Sequence, residues 1–448
     1  MNKWSPFRSI SLVYVGIILF GTILLLLPIS SKGISFINAL FTSTSAVCVT
    51  GLIVKDTATD FTFTGKGFIL FLLQIGGMGY MAFASLFMTI FRMRPDKRQN
   101  LIAQEEFGLF SRDNTLRFLR MVVFVTFTFE MIGFILFYSG FRGSFPRDQA
   151  IAHAIFHSVS AFCNAGFSSF STNLTKFADN PFITLTAPFL FICGGLGFIV
   201  LRDISARFRG ERRYLSEHSK IVLSTTLSLI IFGTIVVYLL EYGNALANKP
   251  TLAKITISFF TATTPRTAGF SLINIGALLP TSLLMLVLLM FIGASPGGTG
   301  GGIKTTTFII VRSFIISKIR GIKSVNIKKR RVSEEQVNKA LTLLLISLIL
   351  IGTMVGILSF TERDIVHERG ILPIVFEEVS AFGTVGLSTG STKRLNVSLS
   401  HDFSSVGKLM IIITMLAGRI GPLTLAAMVM KKEGPESLKY PPAKVQIG

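Results

Sequence analysis

The sequence predicts an all-α integral membrane protein made of four tandem units, each a span, a short half-entering helix with its loop, and a second span. Three observations carry this prediction. Half of the 448 residues are hydrophobic and only 15% are charged, and the mean hydropathy of +0.63 lies far outside the range of soluble domains. Eight apolar runs approach or exceed the roughly 20 residues that a helix rising about 1.5 Å per residue needs to cross the hydrocarbon core. A short pattern also recurs four times, once between the two runs of each consecutive pair.

The runs are Ile10–Pro28, Gly67–Phe91, Met121–Tyr138, Phe182–Leu201, Ile221–Leu240, Pro280–Ile316, Ala340–Phe360 and Gly407–Met430. The first ends in Leu-Pro-Ile without a small-x-small cleavage site, so it is expected to stay as a span. The units divide as 1–100, 101–215, 216–330 and 331–448. Cys48, Cys163 and Cys193 lie near or within apolar runs and indicate neither a disulfide framework nor a zinc cluster. The net charge is +21, with Lys and Arg concentrated in Asn2–Arg8, Arg92–Arg120, Arg202–Lys220, Arg312–Arg331 and the tail after Lys431. These segments alternate with spans taken in pairs, so all fall on one side. The positive-inside rule makes that side cytoplasmic, with both termini there and the spans in the cytoplasmic membrane. Contact with anionic lipid headgroups accounts for the charge, and no aromatic-interleaved basic domain suggests nucleic acid.

The four copies of the pattern align without gaps as Leu40–Leu52, Ile155–Phe167, Ser258–Phe270 and Val375–Leu387. Each has Phe at its second position (Phe41, Phe156, Phe259, Phe376) and a hydroxyl at its sixth (Ser45, Ser160, Thr263, Ser380). Each closes on a glycine (Gly51, Gly166, Gly269, Gly386) followed by a large apolar residue. The first half of each copy suits a helix too short to cross the bilayer. The second half loses helical character and ends where backbone of positive φ is tolerated. Irregular backbone at membrane depth must be surrounded by protein or line water. Four such loops around one axis would present a ring of carbonyls, which replaces the hydration shell of an alkali cation in potassium-channel filters. The short helices would add negative potential from their C-terminal ends. The expected arrangement is therefore pseudo-four-fold around a central pore. Its filter is expected at Val49, Thr50 and Gly51; Asn164, Ala165 and Gly166; Thr267, Ala268 and Gly269; and Thr384, Val385 and Gly386.

The sixth run contains Gly293 to Thr307, with six glycines and one proline. It is expected to form two half-helices joined by a loop at membrane depth. A phosphate-binding loop is rejected, because Ile303 separates Gly302 from Lys304 and the segment follows a membrane span. The alternative is a flexible gate made of Gly297, Gly298, Thr299, Gly300, Gly301 and Gly302. Lys304 would either join this gate or snorkel toward the cytoplasmic headgroups. Glycines three apart recur in Gly76–Gly79, Gly194–Gly197 and Gly418–Gly421, a spacing that lets helices approach closely. Arg419 interrupts the last of these. An intramembrane arginine costs roughly 2.5–3.5 kcal/mol on insertion scales. It would either act on permeating cations and the gate loop, or pair with Glu377, Glu378 or Glu130. Glu377 and Glu378 are expected to hold the fourth loop from behind, His153 and His157 to be scaffold, and Arg266 to brace the third loop by bonding carbonyls.

At Val49-Thr-Gly-Leu52, Asn164-Ala-Gly-Phe167, Pro265-Arg-Thr-Ala-Gly-Phe270 and Phe382-Gly-Thr-Val-Gly-Leu387 the chain resembles the membrane subunit of the Ktr/Trk/HKT superfamily of potassium transporters. The resemblance runs over essentially the full length and fits the bacterial Ktr type. It implies potassium as the permeating ion, one pore per protomer of a homodimer, and a separate cytoplasmic regulatory ring that binds nucleotide. It also points to Arg419 and the glycine-rich loop as the gate. Gly51, where sodium-selective plant members carry serine, favours potassium, while sodium dependence is left open. No nucleophile–base arrangement or metal-ligand cluster suggests an enzyme. An ion-coupled transporter with a midplane site and a membrane enzyme or scaffold are the competing readings.

Overall fold

A computed structural model describes residues 6–79, 82–83, 115–328 and 330–421. The described residues form fifteen α-helices, three short 3-10 turns and one two-stranded ribbon, Asn326–Ile327 with Arg330–Arg331. Four helices among the described residues are long and apolar enough to cross a membrane: α1 (Pro6–Leu26), α4 (Thr115–Phe141), α8 (Glu217–Glu241) and α12 (Glu334–Thr361). Each is the first span of one unit. Their apolar side chains are widely exposed, as in Phe124, Ile231 and Ile349, which suits contact with lipid and not water.

A short helix follows each first span: α2 (Phe36–Val47), α5 (Arg147–Phe162), α9 (Thr251–Thr263) and, after the seven-residue α13 (Arg363–Arg369), α14 (Leu372–Gly383). The second spans then differ from plain helices. In unit 1, α3 (Phe63–Met78) ends at Gly79 with φ 80° and ψ 142°. In unit 2, α6 (Pro181–Leu196) stops at Gly197, φ 93° and ψ 141°, and the chain turns by 101° into α7 (Phe198–Phe208). In unit 4, α15 (Ser405–Ile420) ends at Gly421, φ 97° and ψ 134°. The predicted continuous fourth span is thus corrected to a broken one, because a backbone at this φ leaves the helix and an L side chain resists it. The predicted ends 84–91 of the second span and 422–430 of the eighth lie outside the described residues. The sixth span is broken as expected, into α10 (Pro280–Phe291) and α11 (Thr305–Ile319).

The recurring glycine triplets have a more specific use than general helix approach. A Cβ on Gly76, Gly194 or Gly418 would lie 2.2, 2.0 and 1.9 Å from the carbonyl oxygens of Val47, Phe162 and Phe382, respectively. Those three carbonyls occupy the same position in their repeats, at or beside the end of the short helix. The first glycine of each motif therefore seats a short helix against its own second span, and the last glycine caps the helix, with a 101° bend following at Gly197.

Candidate functional site

The four loops that follow the short helices meet in cyclic order. A Cβ on Gly51 would stand 2.5 Å from the Ala165 oxygen, and one on Gly166 would stand 2.9 Å from the Gly269 Cα. One on Gly269 would stand 2.3 Å from the Val385 oxygen, and one on Gly386 would stand 2.2 Å from the Thr50 oxygen. Loop 1 touches loop 2, loop 2 touches loop 3, loop 3 touches loop 4, and loop 4 returns to loop 1. Only glycine permits backbones this close.

The backbone conformation repeats as well. Val49, Asn164, Thr267 and Thr384 have φ of 56°, 59°, 71° and 48°, and Gly51, Gly166, Gly269 and Gly386 have φ of 92°, 66°, 73° and 89°. The residue between each pair is outside the left-handed region. In a uniform strand successive residues face opposite ways. Inverting the sign of φ at every second residue instead turns successive carbonyls toward one side. Left-handed Val and Thr are strained by roughly 1–3 kcal/mol each, and such strain persists where the surroundings over-determine it.

Those surroundings are hydrogen bonds from the short helices. The Gly51 and Gly386 amides donate to Ser45 Oγ and Ser380 Oγ, both at 3.1 Å, and Ser160 Oγ donates to the Phe167 carbonyl at 2.7 Å. In the third unit the expected Thr263 is replaced in this role by its neighbour. Thr264 Oγ1 donates to the Phe270 carbonyl at 2.7 Å, while Thr263 bonds back to Phe259. Pro265 has no amide hydrogen to continue the ladder, so α9 ends earlier in its repeat than its counterparts and the hydroxyl shifts by one.

Outside the ring, Glu377 Oε1 accepts from the Ser400 amide at 2.9 Å and from Ser400 Oγ at 2.5 Å, and Glu378 accepts from Thr414 at 2.7 Å. Both carboxylates hold α14 from behind as expected. His153 and His157 are scaffold, bonded to Ser169 and Ser168 at 2.7 and 3.0 Å. No group of three or more His, Cys, Asp or Glu among the described residues could hold a metal ion. Arg266 departs from expectation. It is 7% exposed, and its Nη1 has no hydrogen-bond partner among the described residues. Its backbone carbonyl instead accepts from Asn164 Nδ2 at 3.3 Å.

The glycine-rich loop between α10 and α11 closes on itself. The Gly293 amide donates to Ile303 O at 2.8 Å and the Thr305 amide to Ala294 O at 3.3 Å. It is also stitched to the break in α6, through Ser295 N to Gly195 O at 2.9 Å, Thr299 N to Gly194 O at 3.1 Å and Phe198 N to Gly297 O at 2.9 Å. Arg419 donates from one guanidinium nitrogen to the Thr299 carbonyl and from another to the Gly76 carbonyl. It therefore joins unit 4 to the loop of unit 3 and to the second span of unit 1. The alternative pairing with an acid is corrected: Glu377 and Glu378 are bonded to Ser400 and Thr414, and Glu130 accepts from Gln74 at 2.9 and 3.1 Å. Lys304 Nζ donates to the Gly300 carbonyl at 2.7 Å, so it folds onto its own loop and does not snorkel. Lys304 and Arg419 border a cavity of about 1780 Å³, together with Gly297, Gly298, Gly300 and Gly302.

Comparison with known proteins follows the same lines. The family model of TrkH, described as a cation transport protein, matches residues 8–440. The chain is 36% identical to the Ktr system potassium uptake protein B of Vibrio alginolyticus, over 98% of this chain and 94% of that protein. It is 36% identical to the protein of the same name from Bacillus subtilis (strain 168), over 100% and 98%. It is 34% identical to the potassium/sodium uptake protein NtpJ of Enterococcus hirae, over 100% and 98%. Its fold matches the crystal structure of the potassium transporter TrkH from Vibrio parahaemolyticus with a TM-score of 0.76 at 16% identity, covering 96% of this chain and 86% of that one.

Proposed function

This chain belongs to the TrkH family of cation transport proteins, and on that premise we propose how its loops carry potassium into the cell. It is a multi-pass membrane transporter for potassium uptake and not an enzyme. Potassium sheds water at the carbonyls of Val49–Gly51, Asn164–Gly166, Thr267–Gly269 and Thr384–Gly386. It then passes toward the cytoplasm when the loop Gly297–Gly302 moves aside. The closed cycle of glycine contacts, with its alternating left-handed backbone, is the observation that carries this reading. Preorganised dipoles at a dehydration site need no reorganisation when the ion arrives.

Lys304 and Arg419 hold the gate in this reading. Each places a cation on a loop carbonyl, where it opposes a passing cation and stabilises the closed loop at once. The units divide near residues 100, 215 and 330, so the pore lies between four successive stretches of chain. The protein sits in the cytoplasmic membrane with both termini inside, as its basic segments require. It works as a homodimer under a nucleotide-binding cytoplasmic subunit that docks on those segments. The word "system" in the names of two relatives supports a partner, and the name of a third makes sodium worth testing beside potassium.

The test is flux of potassium and sodium into liposomes holding wild type or Gly269→Ser at matched incorporation. A Cβ at Gly269 has nowhere to go, with φ at 73° and the Val385 oxygen 2.3 Å away. Potassium-preferring flux in the wild type and loss of preference in the variant is the expected result. Equal selectivity in both would remove the filter assignment.

A further inference from the structure

The glycine-rich loop meets the ring of filter loops one residue at a time. Gly301 donates its amide to Thr384 Oγ1 at 2.9 Å, and a Cβ on Gly301 would lie 2.6 Å from that oxygen. Gly300 seats Thr267, whose Oγ1 would be 1.8 Å from a Cβ there. Thr299 Oγ1 and Asn164 Oδ1 face one point, 2.9 and 2.8 Å from a Cβ placed on Gly194. Asn164 Nδ2 ties loop 2 to loop 3 through Thr267 Oγ1 at 3.1 Å. Successive residues 299, 300 and 301 therefore approach loops 2, 3 and 4 in order.

All three filter residues hold the same repeat position, the left-handed one two before the glycine. Loop 1 has Val49 there, with φ 56° and a side chain that offers no hydrogen bond. Its methyl packs toward Gly76 instead, 3.0 Å from where a Cβ would stand.

We infer that Thr384 is a positioning residue shared by filter and gate: its hydroxyl accepts the Gly301 amide and holds the loop shut beneath the pore. This inference rests on the gate reading above. Opening must break this bond, so closure is biased by the same residue whose backbone shapes the fourth filter loop. The bond lies on one side of the ring only, because Val49 cannot make its equivalent. The loop is therefore expected to part from loop 4 last.

Val49 also supplies the control. Valine already occupies this repeat position at φ 56°, so Thr384→Val is isosteric and keeps the same strain while removing the acceptor. In liposomes without any cytoplasmic partner, Thr384→Val should raise maximal potassium flux by roughly two- to tenfold, the range that one neutral hydrogen bond represents. The half-saturating potassium concentration reports on the filter separately, because Thr384 lends its backbone carbonyl to the filter and only its side chain is changed. Thr384→Ser, which keeps the acceptor, should return the flux to its low level. Thr384→Ala carries the same prediction if the valine variant does not accumulate.

A chain lacking residues 297–302 separates the two ideas. If that deletion raises flux and Thr384→Val does not, the gate stands and the role of Thr384 falls. If neither raises flux, the gate reading falls and takes this inference with it. Equal increases in the Val and Ser variants, or a shifted half-saturation, would mean a disturbed filter and would also overturn it.

Discussion

Arg419 shows how one side chain can serve several units. It stands in the last turn of α15, where a cation complements the helix dipole, and it reaches carbonyls in two other units. Hydrogen bonds to charged groups contribute about 1.5–3 kcal/mol each, and in the gate proposed above the bond to Thr299 is lost when the loop moves. Arg419→Gln is therefore expected to raise potassium flux without a partner subunit by roughly tenfold or more. Stopped-flow or tracer uptake into liposomes would show it, and unchanged flux would remove Arg419 from the gate. Glu377 is the corresponding residue outside the ring. Glu377→Leu strands the Ser400 amide and hydroxyl in a buried site. It should lower stability by about 1–3 kcal/mol, read as a drop in Tm in detergent. Both residues stand out in the sequence as charges in apolar surroundings. Their partners do not, because a backbone carbonyl carries no sequence signature.

Among the elements, α7 has a role that its composition hides. It leaves the membrane span at 101°, begins on a bond to the glycine-rich loop, and is tied from its middle to the start of α8. There Asp203 accepts from Ser219 at 2.7 Å, from Ser216 and from Arg212 at 2.8 Å. Burial pushes the Asp203 carboxyl up, but the hydrogen bonds from Ser216 and Ser219 and the charge of Arg212 outweigh it and hold the group below its ordinary value. A carboxylate with a lowered folded pKa adds stability above its unfolded pKa, near 3.9, and loses it as pH falls through the folded one. Asp203→Asn should therefore lower Tm relative to wild type at pH 7, with the gap closing as the buffer is taken below pH 4. A gap independent of pH would show that packing, and not charge, ties α7 to α8. The sequence placed Phe182–Leu201 as one span because apolar content continues through Gly197. The bend depends on the φ of that glycine, which hydropathy does not encode.

At the scale of the molecule, the cycle of four loops is reinforced by links across units outside the glycine contacts. The Leu174 amide donates to Ser271 O at 3.2 Å, joining units 2 and 3, and the Ser398 amide donates to Ile53 O at 2.9 Å, joining units 4 and 1. Ile53 N returns the second link by donating to Ser398 Oγ at 2.9 Å. The convergence of the loops thus depends on contacts between units far apart in the chain, 345 positions in the case of Ile53 and Ser398. The four units are alike in plan but not in detail. Unit 3 alone carries Pro265 just beyond the end of its short helix and the long glycine-rich loop in its second span, so the gate proposed above belongs to one unit and not to four.

The sequence by itself determined the membrane class, the four units, the glycine at the end of each loop and the interruption of the sixth span. Each of these is a matter of local composition or of repetition along the chain. Tertiary structure decided the remainder. It settled that Arg419 reaches carbonyls and not acids, that Thr264 replaces Thr263, that Gly197 breaks its span, and that residues 299–301 meet loops 2–4 in order. These outcomes depend on which backbone atom lies opposite a side chain once four distant loops converge. All backbone atoms are chemically alike, so only their positions could decide among them.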